Sequence, residues 1–112
     1  MKKIIKTSNQ KCSEYVSKFV DFKANNVFSE SIIYGVINKE LCYAVYSYGH
    51  HFPLYVNKAG IWYENSDKYS VSTSKQQTQA RPDTDTIKKT TSELKEIISD
   101  AKRLVSGGSA YL

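Results

Sequence analysis

Two runs of strict alternation constrain this chain more than anything else in it. Leu41, Tyr43 and Val45 alternate with Cys42, Ala44 and Tyr46, and just before them Ile32, Tyr34 and Val36 oppose Ile33 and Ile37. A period of two in β-branched and aromatic residues suits a pleated sheet, and Asn38-Lys39-Glu40 breaks the run between the two halves. They read as adjacent antiparallel strands. Gly49 ends the second, and the His50-His51-Phe52-Pro53 corner leads to a third around Leu54-Tyr55-Val56. Asn57-Lys58-Ala59-Gly60 is a hairpin-type connection to a fourth strand at Ile61-Trp62-Tyr63. After the turn Glu64-Asn65-Ser66-Asp67, Tyr69, Val71 and Thr73 alternate with Ser70, Ser72 and Ser74 as a fifth, edge-like strand with one polar face. Gln76 to Pro82 has no period and reads as a loop.

Helical spacing brackets the strands. Cys12, Tyr15, Val16, Phe19 and Val20 predict a short amphipathic helix from about Asn9 to Phe22, capped by Ser8 or Asn9 and followed by the turn signal Ala24-Asn25-Asn26. After Pro82, a cap at Asp83 or Thr84 opens a run with Ile87, Leu94, Ile97, Ile98, Ala101, Leu104 and Val105 on one face. Gly107-Gly108 ends it, leaving 107–112 as a loose tail. The expected fold is therefore one α+β domain over residues 1–112. A four- to five-stranded antiparallel sheet is packed by a long C-terminal helix and a short N-terminal one.

The chain has 112 residues and a net charge of +5, so its field favours an acidic protein surface or a nucleic acid without choosing between them. Cys12 and Cys42 both fall at apolar-periodic positions and have no spacing that suits zinc, which predicts two buried free thiols in a reducing cytoplasm. The apolar run after Met1 is too short for a signal peptide or a membrane span, so no membrane association is expected.

Catalytic and cofactor signatures are weak. His50 and His51 have no Asp, Glu or Cys nearby in sequence to orient them, and metal binding would need ligands from elsewhere, with Asp67 or Glu64 across the sheet the obvious donors. Ser66, Asp67, Ser70 and His50 could make a nucleophile, orienter and base, but no G-x-S-x-G elbow supports that. Neither G-x-x-x-x-G-K-S/T nor G-x-G-x-x-G occurs, so no phosphate-cradling loop and no cofactor is expected. The tyrosines at 34, 43, 46, 48, 55, 63 and 69 read either as rings of the sheet core or as an outward platform for a partner. Lys68, Lys75 and Arg81, interleaved with Gln76, Gln77 and Gln79, carry the donors that phosphates and base edges accept.

The stretch from Tyr48 to Pro82 resembles a motif of small, uncharacterised phage and mobile-element proteins. That motif runs Y-G-x-H-F-P, then W-Y-x-N-x-D-K-Y-S-x-T-T-S-K-H-Q-x-Q-x-R-P. Gly49, His51, Phe52, Pro53, Trp62, Tyr63, Asn65, Asp67, Lys68, Tyr69, Ser70, Thr73, Ser74, Lys75, Gln77, Gln79, Arg81 and Pro82 match it, and Ser72 and Gln76 depart. The resemblance implies a phage or plasmid origin. The expected function is that of a non-enzymatic binding protein in the host cytoplasm. It would block a host defence protein or ribonucleoprotein complex, such as a CRISPR effector, by steric occlusion. The contact would be built from Tyr48, His50, His51, Tyr69, Lys75, Gln77, Gln79 and Arg81. The alternatives are a DNA- or RNA-binding module of a mobile element, and a small histidine-dependent hydrolase or nuclease. An exposed edge strand could also pair across a homodimer.

Overall fold

The computed structural model describes residues 4–34, 40–67 and 71–110, without the side chains of residues 71, 72 and 104–110. The fold is α+β, but the sheet is larger and of a different kind than the alternation predicts. Seven strands, β1 (Ile5–Lys6), β2 (Phe22–Lys23), β3 (Val27–Tyr34), β4 (Glu40–Ser47), β5 (Pro53–Lys58), β6 (Ile61–Asn65) and β7 (Ile87–Lys89), lie side by side in chain order. The central pairs are antiparallel, while β1 runs parallel to β2 and β7 parallel to β6. Parallel neighbours need a crossover, and each edge has one. A 3-10 turn and α1 (Cys12–Ser17) link β1 to β2, and α2 (Val71–Gln79) lies between β6 and β7. Helix α3 (Thr91–Ala110) closes the chain. The four- to five-stranded antiparallel sheet with two helices is thus replaced by a mixed seven-stranded sheet with three.

The central strands are buried on both faces. On one, Val27, Tyr43, Val45, Tyr55 and Trp62 pack with Cys12 and Val16 of α1 and with Ala80 just beyond α2. On the other, Ile32, Tyr34, Cys42, Ala44, Tyr46 and Val56 pack with Leu94, Ile98 and Ala101 of α3. Alternate residues of β4 therefore enter two different cores, which is why Tyr43 and Tyr46 are both fully covered.

Each departure from the sequence reading has a local cause. Helix α1 stops at Ser17 because Phe19 takes a left-handed φ of 57° and the amides of Phe19 and Val20 return to the carbonyls of Val16 and Tyr15. That is a Schellman terminus with phenylalanine where glycine is usual. Phe19 stacks on Trp62 at 5.6 Å and meets Tyr43 edge-on at 5.7 Å, and this ring contact offsets the backbone cost. The expected fifth strand and the loop after it are largely helix α2. Its inward residues Thr73, Gln76, Gln77 and Ala80 follow helical spacing, but three of them are polar, so the period does not show in a count of apolar residues. Ile87 belongs to edge strand β7. Helix α3 starts at Thr91, not near Asp83, and runs on through Gly107 and Gly108. No described helix is long and apolar enough to cross a membrane.

Candidate macromolecule-binding cleft

The turn between β4 and β5 is built under strain. Gly49 N–H donates to the Ser47 carbonyl at 2.8 Å, closing a three-residue turn about Tyr48, whose φ is 64°. A left-handed tyrosine costs about 1–3 kcal/mol and persists only where its surroundings hold it. Here they do. Tyr48 N–H donates to the Asn26 carbonyl at 2.7 Å, Ser47 N–H to the Phe52 carbonyl at 3.1 Å, and the Ser47 hydroxyl to the side-chain oxygen of Gln76 on α2. The outcome is a ring pushed outward, with Tyr48 56% exposed.

That ring forms one wall of a cleft of about 380 Å³. The remaining lining is Ile4, Phe22, Lys23, Ala24, Asn25, Asn26, Val27, Phe28 and Ser29. The β2–β3 hairpin supplies most of it, and Asn9 accepts from the Asn26 amide at 3.4 Å to fix the tip. Strand register sets a cross-strand row beside the cleft. Lys6 pairs with Lys23, Lys23 with Phe28, and Phe28 with Tyr46. Paired residues point to the same side of a sheet, so two exposed ammonium groups lead into two rings. Phe28 stacks on Tyr46 at 5.2 Å and meets His50 edge-on at 5.1 Å, which joins the histidine to the same surface.

His50 gains a carboxylate that the sequence does not place near it. Its Nε2 lies 3.7 Å from Glu30, long for a hydrogen bond but within reach of an ion pair once the ring is protonated. Glu30 is already engaged by Lys102 of α3 at 3.3 Å and by the Tyr46 hydroxyl at 3.2 Å. These contacts fasten the turn, β3 and α3 together. Burial, with Glu30 adding to it, raises the Tyr46 phenol, so that hydroxyl stays a donor.

The eight contact residues expected from the sequence divide. Tyr48 lines the cleft, His50 touches it through Phe28, and His51 is exposed in the same turn. Lys75, Gln77, Gln79 and Arg81 lie on or just after α2, against the opposite face of the sheet. Of these, Lys75 and Arg81 are exposed. Gln77 donates to the Asn65 carbonyl at 2.6 Å and to Glu64 at 3.3 Å, and the Gln79 carbonyl accepts from the Cys12 thiol at 3.6 Å. Arg81 forms two hydrogen bonds to Glu64, which makes it a structural cation. Tyr69 lies outside the described residues.

The outward tyrosine platform is not formed. Tyr34, Tyr43, Tyr46 and Tyr55 are buried, Tyr63 is half-buried, and among the described residues only Tyr48 of that set stands clear of the surface. Of the Ser66, Asp67, Ser70 and His50 grouping, Ser70 lies outside the described residues and the other three are not brought together. Ser66 donates to the Lys89 carbonyl and Asp67 accepts from the Thr91 amide, while His50 turns to Glu30. Among the described residues no three His, Cys, Asp or Glu side chains gather to hold a metal ion. The sequence reading missed Lys6, Lys23, Phe28 and Asn26. Asn25-Asn26 carried a turn signal, but nothing local links it to Tyr48, 22 positions later.

Fold and cleft together define a small α+β sheet protein with a recess at the β2–β3 hairpin that Lys23 and the Tyr48 ring help to line. No family model matches the chain, and neither a curated protein nor a solved structure matches it.

Proposed function

We propose that this is a binding protein that acts by occupying a surface of a larger assembly, with the cleft beside Tyr48 as its contact. One observation carries the reading: a strained backbone holds a large ring exposed at the lip of a concave, partly apolar recess. Backbone strain clusters at ligand clamps and active sites, and tyrosine is among the residues enriched at interface hot spots. The layers on both sides of the sheet make a rigid support, which lowers the ordering cost of association. The resemblance to phage and mobile-element proteins directs the proposal toward a host defence protein or ribonucleoprotein complex, blocked sterically.

The test is phage plating on a panel of hosts, each carrying one defence system and expressing either this chain or its Tyr48→Asn variant. Recovery of plating on at least one host, lost in the variant at equal protein level, supports the proposal. Recovery on none overturns it.

A further inference from the structure

We propose that the cleft takes a single-stranded nucleic-acid segment, with a base stacked on Tyr48 and phosphates over Lys6 and Lys23. The proposal deepens the preceding one and rests on its reading of the cleft as the contact surface.

The register carries the inference. Lys6 and Lys23 are directly opposed on neighbouring strands, and both are exposed. Like charges in that position repel and destabilise a sheet. No carboxylate among the described residues pairs with either. Asp21, next in the chain to the β2 strand, is instead turned to the hydroxyls of Ser29 at 3.3 Å and Ser31 at 2.5 Å. An unneutralised pair of ammonium groups is explained if an anionic phosphodiester backbone lies across them.

The rest of the cleft fits a base. None of the described lining residues is acidic, and the pocket mixes apolar surface with Asn25, Asn26 and Ser29. Tyr48 presents a ring face that any base can stack on, Phe28 gives a second apolar surface, and the Asn25 side chain is exposed to read a base edge. A duplex hides its base faces, so a splayed single strand is the form this geometry admits.

Fluorescence anisotropy on the full chain tests it, using labelled twelve-nucleotide single-stranded RNA and DNA, the matching duplexes and a polyglutamate peptide. Single strands should bind more tightly than duplexes at low salt. Tyr48→Asn should weaken binding about 5- to 100-fold, as loss of one stacked base does. Lys6→Gln and Lys23→Gln should each lower the slope of log affinity against log salt by about 0.7. Circular dichroism melts should find both lysine variants at least as stable as the parent, because each removes a repulsion.

No binding to any oligonucleotide at low salt overturns the proposal. So does binding indifferent to Tyr48, equal or tighter binding of duplex, or polyglutamate bound with the same Tyr48 dependence. Tyr48-dependent plating recovery without oligonucleotide binding would overturn this inference alone and leave the occlusion reading standing.

Discussion

Arg81 holds Glu64 with two hydrogen bonds of 2.9 and 3.1 Å, and this pairing fastens the end of the α2 crossover to strand β6. Only 7% of the Glu64 side chain is exposed, against 48% for Arg81. Thr86 adds a third donor at 2.6 Å, from the segment leading into β7. One carboxylate thus ties strand β6 to the end of α2 and to the segment that leads into β7. The fork geometry of arginine suits that task better than lysine would.

Removing Arg81 should therefore destabilise the fold. Arg81→Ala leaves a nearly buried charge without its cation, and a loss of about 2 kcal/mol is expected after discounting for the half-exposed guanidinium. Urea denaturation at neutral pH measures it. The pair also sets an acid response. Burial pushes the Glu64 carboxyl up, but hydrogen bonds from Arg81 and Thr86 and the nearby cations outweigh it and hold the group below its ordinary value. A depressed folded value means the stabilisation is complete above the ordinary glutamate range and is lost as pH falls through the folded value. The urea midpoint of the parent should drop between pH 6 and pH 3 more than that of Arg81→Ala.

This arrangement shows what was legible in the sequence and what was not. Strands β4, β5 and β6 follow from alternation and turn chemistry because their neighbours are local. Helix α2 does not, since its inward Gln76 and Gln77 are held by Ser47, Glu64 and the Asn65 carbonyl, and hydropathy registers no face there. The edge strands are two and three residues long, too short to show a period. Within the conspicuous stretch of rings and cations, Gln77 and Arg81 bind β6 and serve to join α2 to the sheet. At the cleft, Tyr48 and His50 were visible as an unusual corner. Their companions Lys6, Lys23 and Phe28 come together only through register.

The start of α3 supplies a second prediction. Thr90 N–H donates to the Glu93 carboxylate at 2.9 Å, and Glu93 N–H to the Thr90 hydroxyl at 3.2 Å, a reciprocal capping box. The Thr91 amide donates to Asp67 at 2.8 Å, which lowers that carboxyl, and Asn65 donates to the Thr91 hydroxyl at 2.9 Å. Thr90→Ala should cost about 1 kcal/mol by denaturant titration, while Thr90→Ser should cost little. Equal losses in the two variants would show that the hydroxyl does not cap.

The β5–β6 hairpin turns on Ala59 and Gly60, with φ of 56° and 81°. Positive φ at both central residues is the backbone of a type I′ turn, which favours asparagine or glycine first. Ala59 is exposed and its methyl group is tolerated at a cost. Ala59→Asn should raise stability by about 0.5 kcal/mol, read as a higher thermal midpoint with an unchanged far-UV spectrum.

Both cysteines are free and fully buried, and burial raises each thiol to about 11. Little thiolate exists near neutral pH, and reagent has no access to it. A disulfide-exchange reagent at pH 8 should leave both unreacted in the native protein and titrate two thiols in denaturant. Rapid reaction of Cys12 without denaturant would mean that α1 opens readily from the sheet, because Cys12 lies beneath that helix with its thiol directed at the Asn9 carbonyl at 2.9 Å.

Tyr48 separates stability from function. Its left-handed backbone is unfavourable for tyrosine but acceptable for asparagine, whose side chain tolerates that region. The exposed ring contributes little to either core, so Tyr48→Asn should raise stability by about 1 kcal/mol while removing the contact wall. A purely structural residue would behave in the opposite way, losing stability together with its ring. The measurement is a paired one: urea midpoints for parent and variant, and binding or plating recovery on the same preparations. A variant that is both less stable and fully active would show that the strain at Tyr48 serves folding and not recognition.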